Sequence, residues 1–178
     1  LNPRNPYAAT KAAADLLTYA YHKTYIDPEL PVIITRTENN HGPFQEPVKA
    51  LPVFVKKACA GEKLPIYGDG LHVRCWLHVE DHCEAIFTLL EKGQPGEIYH
   101  VAGEQELTNL DLARFILKTC GAPEDQYFHM DDHNIRPGHD RRYALNCEKI
   151  RALGWQPKFT LYGGLQRSIE WYRNNLNN

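Results

Sequence analysis

The chain has 178 residues, 43% hydrophobic and 24% charged, the make-up of an ordinary soluble globular domain rather than a fibrous or low-complexity one. A net charge of -2 and a pI near 6.5 supply no electrostatic footprint for nucleic acid or an anionic membrane, and no apolar run approaches the ~20 residues that span a bilayer. The five cysteines, Cys59, Cys75, Cys83, Cys120 and Cys147, contain no Cys-x-x-Cys pair, which argues against a disulfide framework or zinc clasp and for reduced thiols in a cytoplasmic setting.

Asn5-Pro6 followed by an Ala- and Leu-rich stretch predicts a helix running towards Tyr25, with proline in its first turn, broken by Asp27-Pro28. Tyr7 and Lys11 stand four apart on it, so the phenol and the ammonium share a face. A cation beside a phenol favours phenolate, which makes the pair a candidate proton acceptor. On spacing alone a surface pair of no chemical importance is the commoner reading.

Pro31 to Arg36 has the unbroken β-branched run of a buried, parallel strand, and a loop from Glu38 to Pro43 is expected after it. Asn39, Asn40 and Gly42 in that loop would lie beyond the carboxyl end of a strand, where open α/β sheets bind ligands; a plain turn uses the same residues. Residues 48 to 60 suit an amphipathic helix ending at Gly61. Leu64 to Tyr67 reads as a short strand and Gly68-Asp69-Gly70 as a turn, with no third glycine to make a dinucleotide fingerprint.

His72 to Leu77 alternates weakly. Glu80 to Lys92 reads as a helix ending at Gly93, and Glu97 to Val101 as a strand. His78, Glu80, Asp81 and His82 match no zinc motif, and Cys75 reads as a buried, inert thiol. Thr108 is a fitting N-cap, with Asp111 at the capping-box position, for a helix that stops at Gly121. The polar segment Pro123 to Asp140 is expected to be a loop, and Cys147 to Leu153 and Leu161 to Asn175 the last helices.

Tyr67, Arg74, Arg136, His139, Arg141 and Arg142 offer an aromatic plane and cationic forks. Guanidinium matches phosphate oxygens two at a time. The run Arg136-Pro-Gly-His-Asp-Arg-Arg142 concentrates three arginines in one loop, so an anion site and a solvated charge cluster are both open readings. Short strands mixed with helices give an α/β class, with too few buried strands for a complete doubly wound sheet.

Five segments together resemble the extended short-chain dehydrogenase/reductase family. They are Asn5-Pro-Tyr-Ala-Ala-Thr-Lys-Ala-Ala-Ala-Asp15, Asn39-Asn-His-Gly-Pro43, Leu64-Pro-Ile-Tyr-Gly-Asp-Gly70, Val73-Arg-Cys-Trp-Leu77 with Val79-Glu-Asp-His82, and Arg136-Pro-Gly-His-Asp-Arg-Arg-Tyr-Ala144. Within that family the likeness is to the nucleotide-diphosphate-glucose 4,6-dehydratases, the dTDP-glucose enzymes of deoxysugar biosynthesis. It covers nearly all of the chain but only the C-terminal portion of a family member.

The resemblance implies a partial NAD(P)-binding Rossmann-like fold: the C-terminal part of the sheet in residues 1–43, and mainly the small nucleotide-sugar lobe in 44–178. It implies NAD as cofactor, although binding of NAD by this chain alone is not expected, because the glycine-rich fold and the Thr, Asp and Glu of the dehydration step have no counterpart in these residues. Tyr7 would take the 4-hydroxyl proton with help from Lys11, which would also hold the nicotinamide ribose, and Asn40 would touch the cofactor. Asn39, Lys49, Ala50, Pro65, Ile66, Tyr67, Arg74, Asn109, Arg136 and His139 would grip a nucleotide-diphosphate sugar of the dTDP-glucose kind. Tyr67 would lie by the base, and Arg74 and Arg136 by the diphosphate.

The chain departs from the family at Cys75, usually Asp, at His41, usually Tyr, at Glu38, usually a small residue, and at Ala50, usually a larger aliphatic one. Asp27-Pro-Glu-Leu also lengthens the connection to the first strand. Taken as an isolated chain, the expectation is an inactive dehydratase-like protein, with a non-catalytic nucleotide-sugar-binding or oligomerisation module as the alternative. Apolar faces left on the tyrosine helix predict a homo-oligomer.

Overall fold

In a computed structural model, which describes residues 2–25, 31–131, 138 and 140–175, the first element is the expected helix, α1 (Pro6–Thr24). Asn5 caps it, its side chain accepting from the Ala8 amide at 2.8 Å, and Pro6 occupies the first turn. None of its residues is buried. A part-buried ion pair at 2.6 Å, Asp15 with Arg36, ties it to the body, and the His22 imidazole lies over Gly96. The expected break at Asp27-Pro28 lies outside the described residues.

Strand β1 (Ile34–Thr37) lies parallel to β5 (Ile98–Val101), Ile34 opposite Ile98 and Thr37 opposite Val101, so the parallel pairing read from the β-branched run holds. It begins later than that run suggested, and only Ile34 in it is buried. The segment expected to be a loop from Glu38 to Pro43 contains a strand instead, β2 (Asn39–His41). It runs parallel to β4 (Val73–His78), with Asn39 opposite Trp76 and Asn40 opposite Leu77, and that ladder overrides the turn preference of asparagine. On its other edge β4 pairs antiparallel with β6 (Glu106–Thr108), a strand too short to leave a period in the sequence.

The third pairing is β3 (Leu64–Tyr67) parallel to β7 (Tyr127–Met130). The latter corrects the reading of Pro123 to Asp140 as loop throughout. Its aromatic Tyr-Phe pair favours a strand once β3 offers an edge, and the polar flanks had concealed it. The weak alternation of His72 to Leu77 hid a strand with Arg74 to His78 all buried, as suits a central strand covered on both faces.

The helices follow their caps. α2 (Ala50–Cys59) ends ahead of Gly61, which takes a positive φ of 70°. In α3 (Val79–Lys92) the cap is His78, whose Nδ1 accepts from the Glu80 amide. In α4 (Asn109–Cys120) the Thr108 hydroxyl accepts from the Asp111 amide at 3.0 Å, and the helix stops at left-handed Gly121, as read. α5 (Glu148–Arg151) and α6 (Leu161–Asn174) complete the chain, the second capped by Thr160.

Adjacent residues of β4 point to opposite faces, and they divide the core in two. Trp76 joins Leu51, Val55, Leu64, Ile66, Leu112, Ile116 and Leu165 between α2, β3, α4 and α6. Leu77 joins Ala85, Leu89, Tyr99, Val101, Ile150 and Trp155 between α3, β5 and α5. A fully buried Leu or Ile contributes about 1.5–3 kcal/mol, whereas an exposed ion pair contributes under about 1, so the two clusters hold the fold.

Gly70 closes the turn after β3 at φ +75°, its amide donating to the Tyr67 carbonyl at 3.1 Å. A β-carbon there would stand 2.7 Å from Ile66 Cγ2 and 3.0 Å from Leu110 Cβ. Gly70→Ala therefore adds both left-handed strain and a clash, and is expected to cost about 2–4 kcal/mol. A thermal melt that leaves the variant's Tm unchanged would refute the tight approach of β3 to α4.

Candidate functional site

A cleft of about 290 Å³ opens between the start of α2, β3, β4 and the start of α4. Seven residues singled out in the sequence line it: Asn39, Ala50, Pro65, Ile66, Tyr67, Arg74 and Asn109. They come from five separate elements. Ala50 and Asn109 are the first residues of α2 and α4, so two helix N-termini, each carrying partial positive charge, begin at this cleft.

Arg74 is 3% exposed. Its Nη1 donates to the Val73 carbonyl at 2.6 Å and to that of Arg141 at 3.3 Å, and its Nη2 donates to the Asp140 carbonyl at 2.7 Å. The guanidinium lies 4.0 Å from the centre of the Tyr143 ring. Tyr143 in turn donates its hydroxyl to Asn39 Oδ1 at 3.2 Å, and burial raises its phenol above the usual range.

Tyr143 is the lining residue that sequence reasoning missed most consequentially. The β-bridge between Val73 and Arg142 helps bring it here, and no spacing reports that. Val48, Val53, Phe54, Trp76 and Leu112 also line the cleft, and nothing in the sequence singles them out as site residues. The Trp76 indole N–H finds no acceptor among the described residues.

Other expectations fall differently. Arg141 and Arg142, read as possible anion forks, are committed to carboxylates: Arg141 makes a two-pronged pair with Asp69 at 2.7 and 2.8 Å, and Arg142 one with Glu106 at 2.8 and 3.0 Å. They pin the 141–143 segment to the β3 turn and to β6. Asp69 is held well below the usual carboxylate range, chiefly by that Arg141 hydrogen bond. Lys49 is exposed, paired with Glu46 at 3.7 Å, and is not among the lining side chains. Arg136 and His139 lie outside the described residues.

Tyr7 and Lys11 share a face of α1 as predicted, the Lys11 Nζ 6.0 Å from the Tyr7 ring centre. Tyr7 is 71% exposed, and neither residue lines the cleft. At the start of α1 the Asn5 Nδ2 donates to the Gly138 carbonyl at 3.4 Å. Asn40 donates to His82 Nδ1 at 2.5 Å, while its own Oδ1 is buried without a partner among the described residues. His78 turns away from His82, its ring 4.3 Å from that of Phe159 and 5.4 Å from that of His41. His41 hydrogen-bonds Ser168 Oγ at 2.9 Å, and burial, then the neighbouring His78, pushes its pKa down to about 3.

The departures at 38 and 75 meet. Glu38 is buried and accepts from the Cys75 amide at 3.1 Å, and its Oε1 has no partner among the described residues. Burial raises the Glu38 carboxyl, and burial together with Glu38 pushes the Cys75 thiol up to about 12, so the thiol is inert. A carboxyl with a raised folded pKa contributes stability that is fully present below its unfolded value of 4.5 and is lost as pH rises through the folded one. Glu38→Gln is therefore expected to raise Tm by several degrees at pH 8 and not at pH 4; an equal shift at both would refute the account.

The family model described as GDP-mannose 4,6 dehydratase matches residues 1–168. The chain belongs to this family. It is 49% identical over 174 residues to dTDP-glucose 4,6-dehydratase of Streptomyces niveus, covering 97% of this chain and 50% of that protein. A crystal structure of dTDP-glucose 4,6-dehydratase from Bacillus anthracis in complex with NAD superposes with a TM-score of 0.90 at 46% identity, over 98% of this chain and 54% of that one. DesIV, the dTDP-glucose 4,6-dehydratase of Streptomyces venezuelae solved with NAD and TYD bound, matches equally well, with a TM-score of 0.90, 46% identity and coverage of 98% and 53%. The chain spans about half the length of the curated relatives it matches. Its small parallel sheets are those of part of the Rossmann-like extended short-chain dehydrogenase/reductase fold. Among the described residues no helix is long and apolar enough to cross a membrane.

Proposed function

We propose that this chain supplies the nucleotide-sugar cleft and the Tyr–Lys pair of a dTDP-glucose 4,6-dehydratase, acting in deoxysugar biosynthesis. The observation that carries the reading is the convergence of seven expected sugar-nucleotide residues, from five elements, on one cleft. Tyr67 offers its ring to the base. The diphosphate is drawn by Arg74 and by the N-termini of α2 and α4, with Arg136 as a second cation. Asn39, Lys49, Ala50, Pro65, Ile66, Asn109 and His139 complete the grip. Tyr7, as phenolate favoured by the Lys11 ammonium, removes the 4-hydroxyl proton of the sugar.

In this reading NAD is the cofactor, with Lys11 holding its ribose and Asn40, whose buried Oδ1 has no partner among the described residues, touching it. When bound, NAD supplies hydride uptake and return. Residues 1–43 belong in this reading to the Rossmann part and 44–178 mainly to the sugar-nucleotide lobe of a cytoplasmic protein. α1 exposes Leu16, Leu17, Tyr19 and Tyr21, and we infer from them a homo-oligomer. A monomer at every concentration in light scattering would sink that part.

A second reading, a binding or oligomerisation module without chemistry, is favoured by one observation: the cleft is lined by no residue of α1. Calorimetric titration with dTDP, UDP and NAD separately, followed by a turnover assay, tells them apart. Binding of dTDP with turnover that Tyr7→Phe abolishes supports the enzyme. Binding of dTDP without turnover supports the module. Failure of both dTDP and UDP to bind overturns the enzyme and the binding module alike and leaves the oligomerisation module to the light-scattering result.

A further inference from the structure

We propose that Cys59 and Cys120 are the site of a reversible oxidation that staples α2 to α4. The two thiols are 61 positions apart in sequence, yet their Sγ atoms lie 3.9 Å from one another. Each is the last residue of its helix. Neither meets the other by chance of a mobile surface, because α2 and α4 are locked together by one buried cluster: Val55 and Ala58 from the first helix, Ala113, Ile116 and Leu117 from the second. Cys120 itself packs against that cluster. Cys59 is exposed and Cys120 is half-buried, so one sulfur is open to an oxidant while the other waits beneath it.

A disulfide needs the sulfurs at about 2.05 Å, a closure that side-chain rotation at two helix ends can deliver without moving the cores. With a low-molecular-weight disulfide as oxidant, the Cys59 thiolate attacks one of its sulfurs. The oxidant's S–S bond breaks, a mixed disulfide forms on Cys59, and the first small thiolate leaves. The Cys120 thiolate then attacks Cys59 Sγ, the mixed bond breaks, and the second small thiolate leaves. The protein gives up two protons and two electrons, and the small disulfide becomes two thiols.

Burial, and after it the neighbouring Cys59, pushes the Cys120 thiol up to about 12. The closing step is therefore slow at neutral pH and gains close to tenfold in rate per pH unit above it. The bond would close a loop of some sixty residues, which is expected to raise Tm by roughly 10 °C. It would sit at the far ends of the two helices whose first residues, Ala50 and Asn109, line the cleft.

The test treats the full chain with oxidised glutathione at about pH 8.5, blocks the remaining thiols, and reads intact mass, peptide linkage and Tm. The expected result is a loss of about 2 Da, a peptide joining Cys59 to Cys120, and a Tm rise that a reductant reverses and Cys59→Ser abolishes. Cys59→Ser removes an exposed thiol and should leave the reduced Tm unchanged, so a failed fold would not obscure the outcome. A persistent gain of roughly 305 Da per modified thiol, a linkage to any other cysteine, or a linked protein with unchanged Tm would each overturn the proposal.

Discussion

Asp81→Ala is expected to cost about 4 kcal/mol and to lower Tm by roughly 10 °C. Asp81 is 1% exposed in the first turn of α3. Its two carboxylate oxygens accept from the backbone amides of Lys158 at 2.8 Å and Phe159 at 3.2 Å, and its carbonyl accepts from the Trp155 indole at 3.1 Å. The segment it holds joins Trp155 in one core cluster to Leu161 in the other. Alanine would leave the part-buried N–H groups of Lys158 and Phe159 without these acceptors, and that penalty, not the lost attraction, sets the magnitude. Asp81→Asn keeps one acceptor oxygen and should cost about half as much. Equal Tm values for the parent and the alanine variant in circular-dichroism melts would show that water replaces the carboxylate and that the account is wrong.

Arg74→Ala is expected to weaken dTDP binding about 100-fold, with Arg74→Lys in between, because a lysine keeps the charge and loses the planar fork. Two functions meet in this guanidinium. It gathers the carbonyls of residues 73, 140 and 141 and so holds the returning chain over β4, and it presents positive charge to the cleft. Tyr143→Phe separates them: it keeps the ring under Arg74 and removes the hydroxyl that bonds Asn39 and Arg74, so a loss of a few fold is expected. Affinities measured by calorimetry decide. If Arg74→Ala binds dTDP within threefold of the parent while remaining folded, the diphosphate does not lie against this arginine.

How much of this was legible depended on whether a residue's role is local. Caps are local: Asn5, Thr108 with Asp111, and Gly121 all act within four residues of where they stand, and the helices they bound were readable. β2, β6 and β7 were not, because three or four residues hold no period, and what makes Asn39-Asn40-His41 a strand is Trp76 and Leu77 some thirty-seven positions away. The same limit governed the site. Asn39, Tyr67 and Arg74 stand in segments that resemble a family; Tyr143 stands in one too, but what carries it to the cleft is the pairing of its neighbours Arg141 and Arg142 with residues far off in sequence. Arg141 and Arg142 looked like anion ligands because their composition is the same whether the partner is a phosphate or, as here, the carboxylates of Asp69 and Glu106. Charge in a sequence has a sign but no address.

Because α1 buries none of its side chains, substitutions at Tyr7 or Lys11 subtract nothing from either core cluster. A screen of variants of this chain by melting temperature or proteolytic survival would pass every one of them as neutral. Conversely, Asp81 or Gly70 variants would fail the same screen without touching the residues proposed to do chemistry. For this chain, then, tolerance measured by folding and tolerance measured by activity should map to different elements, and a survey that used the first as proxy for the second would overlook α1 altogether.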